Sequence, residues 1–185
     1  MKRIQILLVF VVLIEMTIVA AERPVDGKKF EFSTAISYGS AKRLDRENTP
    51  VSVLTIPVRF GWFIWRGLEI EPEVQLNSAD GGRLNYFLQG NLTYNFKAPL
   101  NLVPFIGPFA GFGSENPVIG IGGSEGAKVS AFGGIIGVRC LVGKSAAIRA
   151  EWRLKWLTHD APYMGDLGPA KWRINELFVG LSIFF

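Results

Sequence analysis

Three glutamates at alternate positions, Glu69, Glu71 and Glu73, form the densest grouping of reactive side chains in this sequence. On an extended strand, residues i, i+2 and i+4 share one face. The spacing therefore lines up three carboxylates, which could hold a cation or, beside a base, move protons. No matching ligand set occurs elsewhere, so neither a metal nor a cofactor is expected. The single histidine, His159, stands between Thr158 and Asp160. A hydroxyl becomes a useful nucleophile only when a base accepts its proton and a third group orients that base. His159 beside Thr158, with Glu176 or Asp160 as orienter, supplies the parts, although a lone loop histidine is far more often simply solvated. No catalytic residue is assigned on this pattern. Cys140 is the only cysteine, which excludes an intramolecular disulfide and a thiolate metal site; it reads as a small apolar filler near one rim. The glycine-rich stretch GIGGSEGA lacks the strand–loop–helix setting of a phosphate cradle and reads as an outer loop.

These residues need elements to position them. The 185 residues suggest one domain, 49% of them hydrophobic and 19% charged, with mean hydropathy +0.26. The N-terminus reads as an export signal. Lys2 and Arg3 precede an apolar run from Ile4 to Ile14, interrupted at Glu15, and Val19 and Ala21 suit cleavage after Ala21. Residues 1–21 are thus expected to be a signal peptide and residues 22–185 the folded domain. An uncleaved anchor is the alternative, but the run is short for a membrane helix. Without Lys2, Arg3 and Glu15, the 20 basic and 16 acidic residues become 18 and 15, a net +3. That is too mild, and too scattered, for nucleic-acid binding.

The remaining sequence alternates with period two again and again. Phe30 to Tyr38, Leu54 to Trp62, Leu68 to Asn77 and Leu84 to Phe96 each place apolar and polar residues on opposite faces, with Phe87 breaking the rule. Residues 102–113 are apolar on both faces and leave their orientation open. Runs at 128–140, 148–156 and 176–185 complete eight strands of about ten residues, enough for a tilted strand to cross a bilayer. Segments 65–67, 97–101 and 141–145 are short; 41–50, 114–127 and 158–172 are longer, and 78–82 is the short member of that second set. This asymmetry suits an outer-membrane barrel.

The expected fold is therefore all-β: a closed eight-stranded antiparallel transmembrane β-barrel. A soluble lipocalin-like barrel shares the alternation, but roughly 40 large apolar side chains would overfill the interior of so narrow a barrel. The greasy face is therefore expected outside. The inside then holds Glu31, Glu69, Glu71, Glu73, Glu151 and Glu176 against Arg59, Arg139, Arg149, Arg153 and Lys155, a nearly neutral plug of ion pairs. Trp62, Trp65, Trp152, Trp156 and Trp172 read as interfacial girdle residues. Pro57, Pro72, Pro104 and Pro108 fall within strands and remove ladder donors; bulges or rim positions account for only some of them.

The chain resembles the small Gram-negative outer-membrane barrels typified by the outer-membrane protein A and X barrels. Its ending LFVGLSIFF, with terminal Phe185, is similar to their assembly signal, and NLTYNFKAPLNLVPFIGPFAGFG to a hairpin common among them. The resemblance implies export to the outer membrane, the outer-membrane insertion machinery as a partner, and contact with outer-membrane lipids and lipopolysaccharide. A narrower resemblance is to lipid A 3-O-deacylase, whose His-x-Ser pair and acidic residue correspond here to Trp156, Thr158 and Asn175 in EWRLKWLTHDAPYMGDLGPAKWRINELF. The motif is degraded. The expected function is a structural or surface-interaction barrel without catalysis; a divergent deacylase-like hydrolase and a narrow, porin-like solute channel are the alternatives.

Overall fold

The computed structural model describes residues 28–44, 50–79, 85–96, 98, 101–113, 128–159 and 170–185. The expected signal peptide, Asp160 and the glycine-rich loop lie outside these residues. Eight strands follow in order: β1 Phe30–Arg43, β2 Val51–Trp65, β3 Leu68–Ala79, β4 Asn85–Asn95, β5 Leu102–Gly113, β6 Val129–Leu141, β7 Ala146–His159 and β8 Ala170–Phe184. Each pairs antiparallel with the next, and β8 closes on β1 from Glu31↔Phe184 to Arg43↔Trp172. Closure leaves no sheet edge, as a strand bundle in hydrocarbon requires. The strands run to 11–15 residues, longer than the ten expected.

Tight connections gather at the end where β1 begins and β8 ends. Arg66 and Gly67 alone join β2 to β3, Trp65 still belonging to the strand, and Gly67 takes φ of 75°. Asn101 (φ 57°) and Gly143 (φ 82°) turn the chain into β5 and between β6 and β7. The connections 44–50, 80–84, 114–128 and 160–169 leave from the opposite end.

The prolines find places that sequence reasoning lacked. The β1–β2 register lapses between Thr34↔Val58 and Ser37↔Thr55, at Pro57; β2–β3 lapses between Arg59↔Glu73 and Trp62↔Ile70, at Pro72; β4–β5 lapses between Asn91↔Phe109 and Tyr94↔Ile106, at Pro108. Each of the three pairs normally on its other side, with Gln75, Gly90 and Gly134. Pro104 lies at the end of the β4–β5 ladder, where its carbonyl accepts the Phe96 N–H at 2.8 Å. A residue without an N–H is tolerated where one flank is already unpaired.

The faces divide as the alternation predicts. Phe32, Ile56, Leu92, Phe132 and Leu181 stand exposed outside, while Arg59, Arg139, Arg149 and Arg153 are wholly buried inside. This overturns the lipocalin-like reading, in which the charges would face solvent. The ambiguous β5 resolves with Val103, Phe105 and Phe109 inward and Ile106 and Phe112 outward. Two girdle expectations fail. Trp172 points inward and is buried, because its position on β8 shares the phase of Glu176 and Phe178. Trp152 is exposed but lies mid-strand, opposite Ile136 and Leu177. The interior is also less polar than expected: Phe87, Phe105, Phe109, Phe178 and Phe184 all enter it.

Candidate functional site

The sequence-predicted charges do converge, in stacked tiers along the barrel interior. Nearest the tight turns, Arg139 Nη2 lies 2.8 Å from Glu69, 2.8 Å from Glu71 and 2.9 Å from Glu31. Arg149 contacts the same Glu71 at 2.5 Å and Glu31 at 3.2 Å, and reaches up to Glu151 at 2.7 Å. In the middle tier, Arg153 grips Glu73 through two parallel 2.7 Å hydrogen bonds. Arg59 bridges Glu73 (2.7 Å) and Glu151 (2.8 Å). Above them, Lys155 pairs with Glu176 at 3.0 Å and donates to Gln75, while Thr55 donates to Glu176 at 2.8 Å.

The register explains this order. Alternate residues of β3 carry Glu69, Glu71 and Glu73 upward at about 6.6 Å per pair. Across the barrel, β7 carries Arg149, Glu151, Arg153 and Lys155 at the same interval, so each tier meets opposite charge. The inward aromatics act as spacers. Arg139 and Arg149 stack on the Phe105 ring at 4.4 and 4.5 Å, and Arg153 on Phe178 at 4.5 Å. The described buried residues hold six glutamates, and Arg43 makes the sixth cation, so the interior balances. Arg43 lies beyond the Phe30–Tyr38 run and within the expected 41–50 connection, yet the same period of two, carried on to the end of β1, turns residue 43 inward.

Apolar clusters close both ends of this charged column. Toward the longer connections lie Ala41, Val53, Phe87, Val129, Ala131, Leu157, Trp172 and Ile174. Toward the tight turns lie Val103, Ala147 and Phe184, with Phe63 and Leu141 against them. Ion pairs shut away from water interact strongly, and their desolvation is offset only when every partner is met. Here each carboxylate has at least one cation.

What this arrangement can do chemically is limited. The Glu31, Glu69 and Glu71 oxygens lie within 4.8 Å of one another, close enough to ligate a metal. The cation they share is the Arg139 guanidinium, which touches all three. A continuous aqueous lumen would leave the arginines accessible, whereas Arg139 and Arg153 are 0% exposed. Among the described residues, the Glu176 arm of the hydrolase constellation is not assembled either; Asp160, its alternative, lies outside them. His159 ends β7, its backbone paired with Val129 and Ala170, while Glu176 lies six residues along β8 from Ala170. That is about 20 Å of strand, and Glu176 is already bound to Lys155 and Thr55. Trp156, Thr158 and Asn175, the counterparts of the deacylase motif, share the outward phase of their strands.

No family model and no curated sequence matches this chain. Solved structures do. Neisserial surface protein A superposes with a TM-score of 0.64 at 14% identity, covering 84% of this chain and 97% of that one. The outer-membrane protein OprG of Pseudomonas aeruginosa gives 0.44 at 12% identity, over 85% and 97%. AlkL, an outer-membrane protein solved in lipid bilayers, gives 0.48 at 15%, over 90% and 92%. The similarity to Neisserial surface protein A is one of fold: a small, closed eight-stranded barrel. Nothing in it supports the narrower likeness to lipid A deacylases.

Proposed function

We propose that this chain is a small integral outer-membrane β-barrel whose role is structural or surface-interacting rather than catalytic. The inversion of its two faces carries the reading: charged side chains are buried inside, and a continuous apolar surface lies outside. In water that outer surface would be an aggregation hazard; in a bilayer it is the required solvent contact. On this reading residues 1–21 direct export, and Phe185 with its alternating apolar neighbours directs insertion by the outer-membrane machinery. The connections leaving the far end then meet lipopolysaccharide and extracellular ligands. The filled column of ion pairs favours a rigid staple over a pore.

Gel mobility of the detergent-folded chain, heated and unheated, tests the barrel together with far-ultraviolet circular dichroism. A heat-shifted band with a β spectrum supports the proposal, and a soluble, detergent-independent protein overturns it. In planar bilayers the folded chain should give no discrete conductance steps; regular steps would restore the channel.

A further inference from the structure

The outward faces of the eight strands, among the described side chains, carry no carboxylate, since every described strand glutamate is buried. They carry three cations, Lys42, Lys171 and Arg173, all exposed and all on the β1–β8 seam. Lys42 and Arg173 are direct cross-strand partners, and the Leu44 N–H bonds the Lys171 carbonyl at 2.9 Å. Their Cα atoms are thus separated by about 5 Å across the seam and by about 7 Å along β8. Like charges set directly opposite destabilise a sheet unless an anion joins them, and no described side chain pairs with any of the three.

Depth adds an independent constraint. Phe185, just past the end of β8, lies twelve positions beyond Arg173 and packs with Phe30 and Phe60 at the tight-turn end. With strands tilted about 40°, that is about 30 Å along the barrel axis, against an apolar band of about 25 Å. An aromatic girdle at one interface therefore puts Arg173 and its neighbours at the opposite one, where a cation costs little. Trp156, the cross-strand partner of Arg173 on β7, is exposed at the same level, as an interfacial tryptophan is.

We infer that Lys42, Lys171 and Arg173 form a binding site for the phosphate groups of an anionic lipid in the leaflet at the long-connection rim. The inference rests on the membrane reading above. The three cations present a triangle a few ångströms on a side, suited to a headgroup bearing more than one negative charge. The neighbouring outer surface, with Trp156, Leu177 and Ile36, is apolar and takes the acyl chains.

The full chain, extracted and exchanged into nanodiscs of phosphatidylcholine doped with bis-phosphorylated lipid A, tests this through native mass spectrometry of retained lipid. Each cation near a charged lipid surface is worth about 1 kcal/mol. The triple variant K42Q/K171Q/R173Q should therefore lose about a hundredfold in retention, and each single variant about fivefold. A control variant, K28Q/K29Q/K144Q, removes charge at the other rim and should keep wild-type retention. Dephosphorylated lipid A should bind the wild type as weakly as phosphorylated lipid A binds the triple variant. Undiminished retention by a triple variant that still shows the heat-shifted band overturns the site alone. Equal retention of dephosphorylated lipid, or displacement of lipid A by millimolar inorganic phosphate, also overturns it. A chain without any heat-shifted band overturns the membrane reading first, and the site with it.

Discussion

The inward and outward faces of the same eight strands solve opposite problems. Outside, Ile56, Leu92 and Leu181 stand exposed; on the membrane reading they face surroundings that offer no hydrogen bonds, and any large apolar side chain serves. Inside, Glu73 meets Arg59, Arg153, Gln75 and Asn91 in one constellation, and no substitute keeps every bond. The difference is between a surface satisfied by composition and a core satisfied only by geometry. Soluble proteins place the tolerant polar face outside and the jigsaw of apolar packing inside; this barrel makes its jigsaw from charge.

The largest break in that comparison should come from Arg139→Ala. It leaves Glu31, Glu69 and Glu71 without their shared cation, and losing one partner of a buried ion pair costs about 3–5 kcal/mol. Urea titration of the heat-shifted band in lipid vesicles should show a midpoint far below wild type; an unchanged midpoint would mean the column is not what holds the barrel. Next is Ile56→Arg, which puts a cation on the outward face midway along β2. At bilayer mid-depth it should cost about 2–4 kcal/mol in vesicles and far less in a water-permeated micelle; an equal effect in both would argue against hydrocarbon contact.

Two glycines sharpen the comparison at smaller scale. At Gly137, turned inward, a Cβ would meet the Phe105 ring, the Ala150 carbonyl at 2.7 Å and Glu151 Cβ at 2.8 Å. Gly137→Ala should therefore destabilise by about 1–3 kcal/mol through overpacking. At Gly90, turned outward, a Cβ would meet nothing within 4 Å. Gly90→Ala should stay within about 0.5 kcal/mol of wild type in the same titration. Reversal of that order would show that the faces had been interchanged.

Much of this was legible in the residues. The repeated alternation from Phe30 onward gives strand number and the facing of β2, β3, β4 and β7, because a period of two leaves a side chain only two directions. It also named eleven of the twelve interior charges. The inward turn of Phe105 and Phe109 was not legible, since residues 102–113 are apolar on both faces and an aromatic reads the same whether it packs on lipid or on a guanidinium. Nor was the separation of His159 from Glu176. They stand seventeen positions apart in the chain, and only the β7–β8 register fixes how far apart the hairpin holds them.

By itself, the sequence determined the class of fold, the polarity of each face and the near-neutrality of the interior, all of which follow from local period and composition. Tertiary structure decided which charge meets which. Arg139 finds Glu31 only because β8 closes onto β1, and Glu71 only because β3 and β6 face each other across the interior. It also set Lys42 beside Arg173, two residues 131 positions apart that share one register across the closing seam. Closure is a long-range choice of partner and shear, and no local pattern encodes it.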